Sequence, residues 1–299
     1  MKIIFLGALF VVCFSMFISS CSDTNTDPGV SFDMQVAKDT TTISAYLKSK
    51  NIIALKDASG VRFVIDSLAS GFPPRSSNTV KFKYVGRFLS GATFDQGEIS
   101  GAVNSFVGGF QIALSLLPEG SKGRFYIPSG YGYGEAGTTG IPANSILIFE
   151  ITLLDVVTTE AEKQQLASDT VAIDNYLNTN SITAIKDKSG IRYVITQLGT
   201  GLNPDLYSKV NINYTGKLLS NGTVFFTGSS GPSATFDSRV INYLYAFQAA
   251  LPKLPAGSKA TVYIPSGLAF GAQSFTSGAV SIPSNTNLIY DIELVSFVN

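Results

Sequence analysis

The spacing of apolar residues along this chain switches between helical and strand-like several times, and the same succession occurs twice. Ile43, Tyr46 and Leu47 stand at i, i+3 and i+4, as do Ile173, Tyr176 and Leu177, and each trio predicts one face of an amphipathic helix. Ser59-Gly60 and Ser189-Gly190 then mark turns. Beyond them, Val61-Arg62-Phe63-Val64-Ile65 and Ile191-Arg192-Tyr193-Val194-Ile195 read as strands. Val80-Lys81-Phe82-Lys83-Tyr84 alternates strictly between apolar and polar, the mark of a half-buried strand, and Val210-Asn211-Ile212-Asn213-Tyr214 repeats it. A short helix follows, with Phe110, Ala113, Leu114 and Leu117 on one face. Gly123–Ile127 and Ser145–Ile151 close the unit as two more strands. One helix among several antiparallel strands predicts an α+β fold, with the helix covering one face of the sheet.

The repetition extends to the residues themselves. Asp39–Gly71 aligns with Asp169–Gly201 at a constant offset of 130, and Tyr84-Val85-Gly86 with Tyr214-Thr215-Gly216. The offset then grows, so the second copy carries insertions; Tyr126–Gly130 matches Tyr263–Gly267, and Ile141-Pro142 matches Ile282-Pro283. The boundaries expected are a first domain over residues 33–157 and a second over 158–299.

Ahead of the repeats, Lys2 and the apolar run Ile3–Phe17 read as a signal segment too short to span a bilayer comfortably. Ile18-Ser19-Ser20-Cys21 resembles the bacterial lipobox. That resemblance implies cleavage after residue 20 and a diacylglycerol on Cys21, in a membrane-anchored lipoprotein of a Gram-negative bacterium. Residues 21–32 are polar and carry Pro28-Gly29, as a flexible tether would. Ser22 after the cysteine favours the outer membrane by analogy, with its periplasmic and surface faces both open.

Composition narrows the chemistry. The chain has no histidine, and its two cysteines, Cys13 and Cys21, both precede the repeats. Imidazole acid–base relays, serine–histidine triads and cysteine-based metal sites are therefore excluded from the repeats. Lys+Arg and Asp+Glu number 21 each, without a basic cluster, which argues against nucleic acid as a partner.

The first copy contains Tyr84-x-Gly86, Phe94-Asp95, Val107-x-Gly109-Phe110-Gln111-x-Ala113-Leu114, Ile127-Pro128, Tyr133-Gly134, Ile141-Pro142 and Leu147-x-Phe149. This ordered set resembles the FK506-binding-protein family of peptidyl-prolyl cis/trans isomerases, over residues 60–156 and again over 190–297. The resemblance implies two tandem domains, each a bent antiparallel sheet wrapped around a short helix and preceded by a lead-in helix. It also implies an apolar pocket for a proline ring. Phe110 would be its floor, where most members have tryptophan, and Tyr84, Phe94, Val107, Ile141 and Phe149 its walls. Asp95 would be the one buried carboxylate, paired with the Tyr84 hydroxyl; the Tyr133 hydroxyl and the Ile141 N–H would donate to substrate carbonyls. The stretch from Asp95 to Phe110 is short for the family and leaves out a further phenylalanine, so the pocket is expected to be more open there.

In the second copy, Tyr214, Phe225, Phe247, Phe270, Ile282 and Tyr290 would line the equivalent cavity, with Phe236 beside them. Phe226 replaces the aspartate, Phe270 replaces the tyrosine donor, and Pro252 falls within the expected short helix. This copy reads as weak or inactive in catalysis, or as a peptide-binding module.

Together these features predict a prolyl isomerase that assists the folding of exported proteins, working mainly through its first domain and without metal or cofactor. Its partners would be proline-containing polypeptides, FK506-like macrolides, and the membrane through its lipid anchor. A non-catalytic polypeptide-binding chaperone, or a surface lipoprotein that binds a protein or glycan partner, stays open as an alternative.

Overall fold

The computed structural model describes residues 31–232 and 237–299. The signal segment, Cys21, most of the tether, and Phe236 lie outside the described residues.

The first half runs α1 (Phe32–Ser49), β1 (Leu55–Lys56), β2 (Arg62–Ser67), β3 (Thr79–Phe88), β4 (Thr93–Ala102), α2 (Gly108–Ser115), β5 (Lys122–Ile127) and β6 (Leu147–Val156). The second runs α3 (Glu160–Thr179), β7 (Ile185–Lys186), β8 (Arg192–Gln197), β9 (Lys209–Leu218), β10 (Val224–Ser230), α4 (Tyr245–Ala250), β11 (Lys259–Ile264), β12 (Phe275–Ser277), β13 (Val280–Ile282) and β14 (Leu288–Val298). Each half builds a six-stranded sheet from antiparallel pairs, ordered β1-β2-β5-β6-β3-β4 and β7-β8-β11-β14-β9-β10. The hairpin β12–β13 stands apart from both sheets.

The alternation of β3 is realised in its burial. Val80 and Phe82 are buried, and Lys81 and Lys83 are exposed. α2 packs Phe110, Ala113 and Leu114 into the main core, together with Phe82, Phe125, Phe149 and Ile151 from the strands. The second short helix is shorter than the pattern predicts. It ends at Ala250, and Pro252 falls in a 3-10 turn (Leu251–Lys253), so the proline does not interrupt α-helical hydrogen bonds.

Each sheet also has a helix on its other face. In α1, Gln35, Asp39, Ile43 and Leu47 recur every fourth residue as a buried stripe, and Ile43 and Leu47 pack on Tyr126 and Ile148. α3 does the same with Ile173 and Leu177 on Tyr263 and Ile289. Ser31 caps α1 through its hydroxyl, and Thr159 with Glu162 forms a capping box on α3. Each lead-in helix thus docks on its own half.

The halves share one apolar core. Tyr207 packs 5.7 Å from Phe63, and its hydroxyl donates to the Leu116 carbonyl at 2.8 Å. Tyr245 stacks on Phe72 at 5.1 Å and donates to the Pro73 carbonyl at 2.6 Å. Arg239 donates to the Lys56 carbonyl, and Arg75 to that of Gly267.

The copies differ in their ion pairs, most sharply at Asp174. Asp174 on α3 accepts from Arg192 at 2.8 Å and from Lys186 at 2.8 Å, where α1 has Ser44. The Arg192 hydrogen bond is the largest cause that holds the Asp174 carboxyl down at about 2, below its usual 3.8. A depressed carboxyl contributes stability above its unfolded value and loses it as the pH falls through the folded one. The Asp174→Asn variant is therefore expected to be less stable than the parent by about 1–2 kcal/mol near pH 6, with the difference vanishing towards pH 2, by urea denaturation at a series of pH values.

Candidate active site

The site in the first half begins with an irregularity in β4. In a regular strand, neighbours such as Phe94 and Asp95 point to opposite faces. Here the pairing shifts: Asp95 lies opposite Gly86 and Thr93 opposite Arg87, which leaves Phe94 as an extra, bulged residue. A bulge allows two successive side chains to share a face. Phe94 turns inward over Gly86 and meets Phe149 edge-on, with ring centroids 5.7 Å apart. Asp95 stays at the exposed rim, and its Oδ2 accepts from the Tyr84 hydroxyl at 2.6 Å.

This geometry explains the glycine of Tyr84-x-Gly86. A Cβ on Gly86 would sit 2.5 Å from the Phe94 ring and 3.0 Å from that of Phe149. The short stretch after Asp95 is explained as well. β4 continues unbroken to Ala102 and places Gly97 opposite Tyr84, where a bare backbone leaves that flank uncovered.

α2 supplies the floor. Phe110 lies 4.3 Å from Phe149 and meets Tyr84 edge-on at 5.7 Å. Phe110, Phe149 and Ile141 are buried, at 6%, 2% and 7% exposure. Tyr84, Phe94, Val107 and Tyr133 are half-buried around them, so a closed aromatic base carries a partly open rim. Burial foremost, and then the Asp95 hydrogen bond, push the Tyr84 hydroxyl up to about 12, with a smaller rise from Tyr133.

Two expectations are corrected. Asp95 is exposed rather than buried, because it sits on an edge strand; among the described residues the buried carboxylates are Asp39 and Asp169, at 3% exposure each. The Ile141 N–H is already used, since it donates to the Thr138 carbonyl at 2.9 Å in a two-residue bridge. A donor left free at the start of α2 is Val107, whose N–H makes no hydrogen bond among the described residues. Its turn is fixed by Gln111, which donates from Nε2 to the Phe106 carbonyl at 2.8 Å. Sequence reasoning found Val107 and Gln111 as motif members but missed these roles. The free first N–H groups of any helix are the signal that could have shown the Val107 donor.

The second half keeps the frame and fills it. Phe225 is the bulged residue over Gly216, and Phe226 takes the register of Asp95. Phe226 stacks on Tyr214 at 5.3 Å, where the first half has a carboxylate. Phe247 meets Tyr214 at 5.5 Å and Tyr290 at 5.0 Å. The hairpin β12–β13 occupies an insertion; Phe275 stacks on Phe270 at 4.6 Å, and the Ser277 hydroxyl donates to the Phe225 carbonyl at 2.8 Å. Tyr214, Phe225, Phe247, Ile282 and Tyr290 are all buried, and only Phe270 is half-buried. Burial pushes the Tyr214 and Tyr290 hydroxyls well up.

Two cavities, of about 360 and 330 Å³, lie elsewhere. The first has a polar lining that includes Thr196, Asn213, Lys259, Asp291 and Glu293, which does not suit a prolyl ring. The second lies between the halves, against Leu55, Lys56, Tyr207 and Arg239. Among the described residues no three His, Cys, Asp or Glu side chains gather as metal ligands would.

The family model for FKBP-type peptidyl-prolyl cis-trans isomerases matches residues 72–154 and 202–295, together more than half of the chain. The chain belongs to that family. Among its relatives, the isomerase FkpA of Aeromonas hydrophila is 33% identical over 103 residues, covering 33% of this chain and 38% of that one. Outer membrane protein MIP of Legionella longbeachae is 38% identical over 109 residues, covering 36% and 44%. The matched region therefore spans less than half the length of these relatives. Among solved structures, the three FKBP domains of wheat FKBP73 are 22% identical and cover 81% of this chain and 96% of that one, with a TM-score of 0.34.

Three outcomes test this geometry. Gly86→Ala is expected to cost about 1–3 kcal/mol in chemical denaturation, because rigid rings leave no room for the methyl group. Gly97→Ala, whose Cβ would meet nothing nearer than 3.7 Å, is expected to stay within about 0.5 kcal/mol of the parent. In NMR titration of the tyrosine Cζ carbons, Asp95→Asn is expected to lower the Tyr84 value from about 12, yet keep it above the usual 10.0 because burial remains.

Proposed function

We propose that this protein is a peptidyl-prolyl cis/trans isomerase of the bacterial envelope, anchored by a lipid on Cys21, that acts on proline-containing polypeptides through its first half. The observation that carries this reading is the contrast between the copies. Asp95, Tyr84 and Tyr133 ring an aromatic floor in the first, and phenylalanines replace Asp95 and Tyr133 in the second.

Rotation about a peptide bond is opposed by about 18–20 kcal/mol of amide resonance. An X-Pro bond has nearly balanced isomers that interconvert over tens to hundreds of seconds. The twisted transition state has lost the resonance and its charge separation, while no covalent bond has changed. Water favours the charge-separated planar form, so moving the bond onto a dry aromatic surface lowers the barrier. Phe110 and Phe149 would receive the ring, with Tyr84, Phe94 and Ile141 around it. The Val107 N–H and the Tyr133 hydroxyl would hold the flanking carbonyls in the twisted geometry. Asp95 would fix the Tyr84 ring through its hydroxyl. A thousandfold acceleration needs only about 4 kcal/mol, which a few such contacts can supply without a nucleophile or an acid–base pair. The rim residues would accept FK506-like macrolides on the same surface.

The second half, with its aromatic groups buried, serves in this reading as a scaffold. The reading of the protein as a polypeptide-holding chaperone without turnover is separated from catalysis by one set of measurements on the full chain. Proline isomerisation in a peptide is followed by NMR exchange. Tyr133→Phe and Asp95→Ala are each expected to lower kcat/KM about tenfold, or about 1.4 kcal/mol of transition-state stabilisation, and Tyr214→Phe is expected to leave it unchanged. No acceleration by the parent chain would falsify the enzyme reading. Loss of activity only in Tyr214→Phe would move catalysis to the second half.

A further inference from the structure

Asp39 lies on the outer side of the first sheet, away from the aromatic floor, yet it is tied to the loop that carries Tyr133. Its Oδ2 accepts from the Ser129 N–H at 2.7 Å and from the Ser129 hydroxyl at 2.6 Å. Its Oδ1 accepts from Gln35 Nε2 at 2.8 Å. Asp39, Gln35 and Ser129 are all buried. Hydrogen bonds to a carboxylate are roughly twice as strong as neutral ones.

Ser129 passes this anchorage on. Its carbonyl accepts from the N–H groups of Gly132 and Gly134, both at 2.9 Å, and these residues flank Tyr133. The same helix braces the loop at a second point, where the Phe32 ring meets Tyr131 edge-on at 5.3 Å. Phe32 also lies against Gly130, where a Cβ would come within 2.7 Å of the ring. The segment Gly130-Tyr131-Gly132-Tyr133-Gly134 contains three glycines and loses more backbone entropy on ordering than most sequences. Something outside the loop has to hold it, and α1 makes these contacts.

We propose that Asp39 is a positioning residue for the isomerase site: the lead-in helix, through the Asp39–Ser129 clamp, sets the place of the Tyr133 hydroxyl. This rests on the reading of Tyr133 as a donor to substrate. The second half provides an internal control. Asp169 accepts from Ser266 N–H and hydroxyl at 2.8 and 2.6 Å and from Gln165 at 2.8 Å, but the loop it anchors carries Phe270. The same clamp thus serves one loop with a donor and one without.

The test measures isomerisation and unfolding on the full chain. Asp39→Ala is expected to lower kcat/KM about tenfold, mostly in kcat, since a small displacement of a transition-state contact is costly. Asp39→Asn keeps an oxygen for Ser129 and is expected to retain activity within about threefold. Asp169→Ala is expected to lower the unfolding midpoint comparably while leaving kcat/KM within about twofold of the parent. Combining Asp39→Ala with Tyr133→Phe is expected to cost little beyond the larger single loss, because one residue acts through the other.

A folded Asp39→Ala with parent activity overturns the inference, and so does a double variant whose losses multiply. Should Asp39→Ala not fold, Gln35→Leu removes only the bond to Oδ1; an activity loss of about two- to fivefold supports the clamp, and none overturns it. Full activity in Tyr133→Phe would remove the donor reading and this inference together. A Tyr133→Phe loss beside a fully active Asp39→Ala would remove this inference alone.

Discussion

A strand with perfect alternation could not build this site. Phe94 would then point towards the aromatic floor and Asp95 away from it, or the reverse, and the Tyr84 hydroxyl would lack its partner. One extra residue in β4 resolves the conflict, and the side-chain-free backbone of Gly86 accepts the ring that the bulge turns inward. Bulge and glycine are therefore one device. The second half keeps it intact, with Phe225 over Gly216, where a Cβ would again come within 2.5 Å of the ring. The differences around the aromatic floor are laid over this common frame.

The differences act in one direction. Where the first half presents a carboxylate, the second presents a ring stacked on Tyr214; where the first carries a tyrosine hydroxyl, the second carries Phe270 stacked on Phe275. Each change trades a polar group that could meet a ligand for apolar area that meets the protein itself. Burial of a phenylalanine contributes about 1.5–3 kcal/mol, and an aromatic pair about 0.5–1.5 kcal/mol more. The second half gains internal packing where the first presents a carboxylate and a tyrosine hydroxyl.

Much of this was readable before any coordinates. The strict alternation of β3, the apolar face of α2 and the repeat offset all follow from burial periodicity, and the structure places them accordingly. β4 was not legible as a strand: Thr93–Ala102 is largely exposed, so no apolar alternation marks it, and only its pairing with β3 reveals it. The hairpin β12–β13 was hidden for a different reason: its strands, three residues each, are too short for alternation to stand out, and they fall in an insertion that the first copy lacks. Asp39 and Gln35 escaped notice because they are polar members of a buried helical stripe, and periodicity counts only the apolar ones. Among the motif residues, Tyr84, Phe94, Phe110 and Phe149 lie in one network of ring contacts and Tyr214, Phe225, Phe247 and Tyr290 in another. The burial of Asp95 and the freedom of the Ile141 N–H did not hold, because both depend on neighbours that a motif does not encode.

The shared core links the architecture to what the second half contributes. Tyr207 buries its ring against Phe63 and places its hydroxyl on the Leu116 carbonyl, at the C-terminal end of the helix that carries Phe110. A helix end leaves its last carbonyls without intrahelical partners, and a buried carbonyl without a partner is costly. The second half therefore satisfies a backbone group directly behind the floor of the first. α1 holds the Tyr133 loop from the other side of the sheet. The aromatic site is thus steadied from two directions by segments that never touch a substrate in the proposed reaction. In the proposed reaction the site acts through the placement of its contacts, and a small displacement of such a contact is costly, so that support matters.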